Sequence, residues 1–201
     1  FQTLHSFQNQ ELHLLELIEK SDLRLPQNLI NIKNEITKTR KELKCIDFWL
    51  RYLEPISYKK INGPLPVEWE TEVFEKFEKP YKREGAGLTL AELYLDEPTI
   101  EKDSLKKLIQ YASTASQAYE VDSIVAELKT HDHFFLCNRL FLLNLAAIYT
   151  TGFECPDTSQ IIPELRSMLA GVNTTYIHFN QQFSTTPLPD EYLHLYKQAI
   201  D

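Results

Sequence analysis

One stretch constrains the fold more than any other. Beginning at Leu29, apolar residues recur at Ile32, Ile36, Leu43, Ile46, Leu50 and Leu53, with spacings of 3, 4, 7, 3, 4 and 3. A backbone turning once every 3.6 residues puts all of them on one side, and a strand cannot. Pro26 stands where such a helix opens, since its missing N–H and fixed φ cost nothing in a first turn. Pro55 ends or kinks it. A helix with an apolar stripe about 25 residues long needs other elements to cover it.

The rest of the chain supplies them. Leu4, Phe7, Leu14, Leu15, Leu17 and Ile18 predict an amphipathic helix over residues 2–20, followed by a turn at 21–25. Asn62-Gly63-Pro64-Leu65-Pro66 is a turn cluster. Residues 67–86 read as a charged connector carrying Trp69, Phe74, Phe77 and Tyr81. Gly85-Ala86-Gly87 precedes a short helix from Leu88 to Leu95, and Pro98-Thr99 opens a long one running towards Lys129. Asp132 is the expected N-cap of the next helix and Gly152 its C-terminal cap. Pro163 opens a further helix with Leu165, Met168, Val172 and Tyr176 on one face, and residues 190–200 form a last short one. No β alternation exceeds four residues, and no repeat of fixed period stands out. With only 5 glycines in 201 residues, Gly-rich nucleotide folds and β-sandwiches are disfavoured. The expected architecture is all-α: a helical bundle of six to eight helices in a single domain spanning residues 1–201.

Charge narrows the function classes. Lys and Arg number 21 against 29 Asp and Glu, a formal net charge of −8, and no basic run is present. Nucleic acid is therefore not an expected partner. The most apolar stretch, Phe134 to Tyr149, is interrupted by Asn138, Arg139 and Asn144, so no membrane span is expected. The first residue is Phe1 rather than Met, as expected of a processed or trimmed chain, and such processing is compatible with removal of a signal peptide. Cys45, Cys137 and Cys155 form neither a CxxC nor a CxxCH unit. Cys137 and Cys155 are either buried free thiols or a pair brought together by two helices.

Few residues combine into chemistry. His131 and His133 flank Asp132, but side chains at i and i+2 do not share a helix face. His5 and His13 share a face yet lie about 12 Å apart along it, too far for one metal ion. No serine has the context of a nucleophile, and no phosphate-binding glycine loop occurs. No catalytic residue and no metal ligand is assigned. Arg40, Lys44 and Asp47 follow one another at spacings of 4 and 3, extended by Arg51 and Glu54. They form either a solvated ion-pair face or an interior polar network beside residues 85–92. In Gly87-Leu-Thr89-Leu-Ala-Glu92, Thr89 and Glu92 lie on one helix face and can address one point. The same spacing also fits a capping box, with Thr89 as cap.

The run Gly87-x-Thr89-x-x-Glu92 resembles the Gly-x-His-x-x-Glu signature of imelysin-like proteins, with Thr89 in the histidine position. A closer resemblance covers residues 40–156. Its blocks are Arg40 to Pro55, Lys60-Ile-Asn-Gly-Pro-Leu-Pro66, Gly87 to Leu93, and Arg139 to Pro156 ending Thr-Thr-Gly-Phe-Glu-Cys-Pro. In order, they are similar to the helical domain that precedes the di-haem domain of certain bacterial cytochrome-c-peroxidase-like proteins. The resemblance implies an imelysin-like, exported (periplasmic) domain. It implies binding, not catalytic, roles for Gly87, Thr89, Glu92, Arg40 and Asp47, and in an imelysin-like fold Glu92, Thr89, Asp47 and Arg40 are expected to converge on one site. With no Cys-x-x-Cys-His, this chain takes no cofactor of its own. Haem c belongs to an absent C-terminal di-haem domain of the same polypeptide, which is the implied partner. Removing such a partner is expected to leave a large apolar patch. The alternative is a stand-alone imelysin-like periplasmic binding protein for a metal ion or small ligand. A peptidase is least supported, because threonine offers no imidazole.

Overall fold

The computed structural model describes residues 2–69, 81–127 and 130–201. Among them are nine α-helices: α1 (Gln2–Lys20), α2 (Pro26–Leu53), α3 (Pro55–Ile61), α4 (Gly87–Tyr94), α5 (Lys102–Ser116), α6 (Asp122–Glu127), α7 (His131–Asn144), α8 (Ile161–Gln182) and α9 (Asp190–Ile200). The all-α bundle expected from the sequence is present, and α3 and α6 are short additions of 7 and 6 residues. A small hairpin, β1 (Val67–Trp69) with β2 (Tyr81–Arg83), pairs antiparallel with Trp69 opposite Tyr81. It was not foreseen. Phe74 and Phe77 of the supposed connector lie outside the described residues. No helix among the described residues is long and apolar enough to cross a membrane.

The long helix α2 is the axis of the molecule, in contact with α1, α3, α4, α7 and α8. At 100° per residue its side chains sort into three sectors. Ile32, Ile36, Leu43, Ile46 and Leu50 point into an aliphatic core shared with α1, α4 and α5. Phe48, with Trp49 and Tyr52 beside it, points into an aromatic core shared with α7, α8 and α9. Arg40, Lys44, Asp47 and Arg51 occupy the sector between. In the aromatic core Phe134 stacks on Phe179 at 3.9 Å, and Phe48 meets Phe141 and Tyr176 at 5.5 and 6.2 Å. Close approach of α2 and α8 depends on Gly171, where a Cβ would stand 2.1 Å from the Cys45 carbonyl oxygen.

Several local expectations are corrected. The helix foreseen from Pro98 towards Lys129 is shorter: α5 starts at Lys102 and gives way at Gln117 to a 3₁₀ turn and then α6. The break falls where Tyr119 is tied to the end of α2, its hydroxyl donating to the Leu50 and Glu54 carbonyls. Asp132 does not cap α7. Thr130 holds the extended N-cap position, and Asp132 sits in the first turn, where a negative charge suits the helix dipole. Beyond Asn144 the chain continues as a π turn, Leu145–Tyr149, before Gly152 (φ +71°) reverses it. Pro163 lies inside the first turn of α8, which begins at Ile161. The three cysteines are free, so Cys137 and Cys155 do not pair.

Candidate functional site

The charged sector of α2 is buried, which decides between the two readings of its spacing: it is an interior network. Arg40 is its hub. Its Nε donates to Glu164 Oε1 at 2.6 Å and its Nη2 to Glu164 Oε2 at 3.0 Å, a two-pronged pair with α8. Nη1 donates to Asn62 Oδ1 at 2.8 Å and to Thr89 Oγ1 at 3.1 Å. Nη2 also donates to the Glu154 carbonyl at 2.7 Å. A guanidinium has five N–H groups, and these bonds engage every one. Glu92 Oε2 approaches Nε to 3.5 Å. A buried charge is tolerated only when paired and hydrogen-bonded, and Arg40 satisfies both conditions.

The α4 residues arrive there for a backbone reason. Gly87 adopts φ +59°, and a Cβ on it would stand 2.0 Å from the Ile61 carbonyl oxygen. A left-handed glycine therefore lets the start of α4 press against the end of α3, with Asn62 bridged to Gly87. Gly87 brings no side chain to the cluster and meets it through its backbone bridge to Asn62. Ala86 is the extended N-cap residue of α4, so Thr89 is not a cap. Its hydroxyl instead donates to Asn62 Oδ1 at 3.0 Å while accepting from Arg40.

Asp47 stands apart from this group, further along α2 in an adjoining cluster. Lys44 Nζ donates to Asp47 Oδ2 at 3.3 Å, and Arg51 Nε lies 4.0 Å from Asp47 Oδ1. Arg51 also pairs with Glu154 and lies over the Tyr58 ring at 4.3 Å. The Glu154 carbonyl and carboxylate thus join the two clusters. A cavity of about 20 Å³ adjoins Lys44, Tyr149, Glu154 and Glu164, room for a single water.

Arg40, Lys44 and Arg51 face four carboxyl groups, those of Asp47, Glu92, Glu154 and Glu164. At Glu92 the environment is the least favourable to charge. Burial pushes its carboxyl above the ordinary range, Arg40 opposing and Glu164 reinforcing the shift. Its Oε1 and Asn62 Nδ2 have no hydrogen-bond partner among the described residues. Of the five residues named from sequence, then, Arg40, Thr89 and Glu92 meet, Gly87 seats them, and Asp47 belongs to the next cluster. Asn62, Glu154 and Glu164 were not foreseen. Asn62 read only as a turn residue, and nothing marked Glu154 or Glu164 as inward-facing.

Elsewhere, a hollow of about 430 Å³ between α1, α2 and α8 is lined by residues including Leu4, Trp49, Leu50, Gly171 and His178. Among the described residues no group of three or more His, Cys, Asp or Glu side chains is arranged to hold a metal ion. Most surface apolar residues are scattered, but α7 carries four large ones outward: Phe135, Leu136, Leu142 and Leu143, exposed by 45, 51, 40 and 61 %. No family model, curated protein or solved structure matches the chain.

Proposed function

We propose that the chain is a non-catalytic helical accessory domain of an exported, di-haem cytochrome-c-peroxidase-like protein, with haem carried by another domain of the same polypeptide. The observation that carries this reading is the outward side of α7, where Phe135, Leu136, Leu142 and Leu143 stand exposed around Arg139. Four large apolar side chains close together on one exposed helix face are a mark of an interaction surface. One face of α7 packs into the aromatic core, and the other is left for a partner to cover. The ordered sequence blocks name the kind of partner. The Arg40 network fits a supporting role, because a guanidinium with every N–H engaged inside the protein has none left for a substrate.

A stand-alone imelysin-like periplasmic binding protein is the second reading, favoured by the unpartnered Glu92 Oε1 and Asn62 Nδ2. One gel separates the two: the native gene product probed with an antibody to this domain and stained for haem. A larger, haem-positive band is the expected result. A haem-negative band near 23.5 kDa overturns the first reading and turns attention to ligands of Glu92.

A further inference from the structure

We infer that the outward face of α7 is a docking surface for an amphipathic helix that sets a carboxylate against Arg139. The inference deepens the accessory-domain reading by stating the chemistry of what covers α7. Along α7 the outward positions are Phe135 with Leu136, then Arg139, then Leu142 with Leu143, all exposed. They recur about every 3.5 residues, the period of a seam between two packed helices. The seam runs about 12 Å, a little over two turns of helix. Phe135 is held ready at one end, edge-on to Phe134 and Phe179 at 5.5 and 5.6 Å.

Arg139 identifies the occupant. It projects from the middle of the apolar stripe and has no ion-pair partner among the described residues. The nearest acid on the face, Asp132, lies two turns away and is engaged with His131 at 3.1 Å. Covering the stripe with an uncharged surface would bury a lone cation, at a cost that a facing carboxylate removes. A second copy of this chain does not meet the requirement. A two-fold pairing of α7 with itself brings two Arg139 guanidiniums together in a drying interface, and like charges there repel. A single charged position in an apolar seam also fixes register, so the acid selects both the partner and its alignment.

The experiment is site-specific photo-cross-linking in the full native gene product, with p-benzoylphenylalanine at the exposed position 143. The expected adduct is to a helical segment outside these 201 residues that bears Asp or Glu within a turn of the cross-linked site. Arg139→Glu should lower its yield at least about tenfold, and exchanging that acid for Lys in the same molecule should restore it. An unchanged thermal melt of Arg139→Glu excludes misfolding as the cause. An adduct between two α7 helices overturns the inference in favour of self-association. So does an adduct indifferent to Arg139, or none at all. Where the gel shows a short, haem-free product, the accessory-domain reading fails by itself, and an intermolecular adduct with the same charge dependence leaves the docking chemistry standing.

Discussion

Glu11 in the aliphatic core and Glu164 beneath the charged face of α2 are the same residue type at nearly the same depth, 0 and 4 % exposed. The protein accommodates them in opposite ways. Glu164 receives two bonds from a guanidinium that is itself fully engaged. Among the described residues Glu11 has one neutral partner, the Ser116 hydroxyl at 3.0 Å, and its Oε1 has none. Burial accordingly drives the Glu11 carboxyl up to about 8, with Ser116 only partly offsetting it. A carboxylate can thus be buried by building a charged network around it or by leaving it protonated. The first solution ties four distant pieces of chain together, and the second makes the α1–α5 seam sensitive to pH.

The largest effect expected from this contrast is on the network. Arg40→Met removes the one group that Glu164, Glu92, Asn62, Thr89 and the Glu154 carbonyl share. Stranding buried acids in this way should cost about 3–5 kcal/mol in urea unfolding near neutral pH. Glu11→Met, which replaces a lone acid by an apolar side chain, should be neutral or stabilising at the same pH. A loss under about 1 kcal/mol for Arg40→Met, within the range of an exposed ion pair, would remove the distinction drawn here.

Glu11 makes the comparison pH-dependent. Its folded pKa lies above its ordinary 4.5, so folding takes up a proton between the two values. Its contribution is fully present below about pH 4.5 and is lost as the pH climbs through about 8. By pH 7 the loss from this one group is on the order of 3 kcal/mol. Glu92 adds in the same direction, since its carboxyl is also raised by burial. Unfolding free energies measured from pH 5 to 9 for the parent and for Glu11→Gln should converge in slope at the alkaline end and diverge in the middle. Parallel curves throughout would show that Glu11 is ionised in the folded protein.

How much of this was readable beforehand depends on the distance over which each contact is made. The 3- and 4-residue spacings of α2 carry both its apolar stripe and the shared face of Arg40, Lys44 and Asp47. A solvated face has the same spacing, so burial was not legible from it. Glu164 and Asn62 reach Arg40 from 124 and 22 residues away, and no local pattern announces such partners. The break in α5 was hidden for a similar reason, because Tyr119 is tethered to α2 by tertiary bonds. Gly87 was singled out as the opening of a short helix, but what makes it glycine is the Ile61 carbonyl packed against it. Gly87→Ala should therefore cost on the order of 2 kcal/mol, from the positive φ and the contact together. Its thermal melt should show the loss without changing the pH slope set by Glu11.

The smallest pair of changes is the most discriminating, since each deletes one hydroxyl. Thr89→Val keeps the shape of the side chain and removes an oxygen that accepts from Arg40 and donates to Asn62. One Arg40 N–H then has no acceptor, which should cost about 1–2 kcal/mol. That cost should be flat from pH 6 to 9, because Arg40 remains charged throughout. Ser116→Ala removes the one hydrogen-bond partner that Glu11 has among the described residues. Because that bond holds the Glu11 carboxyl down, its loss should move the alkaline limb of the stability curve to higher pH. The two variants can be of similar overall stability at one pH and still part company along the axis. If Thr89→Val instead shifts with pH as Ser116→Ala does, its hydroxyl is coupled to the protonation of Glu92, and the network itself titrates.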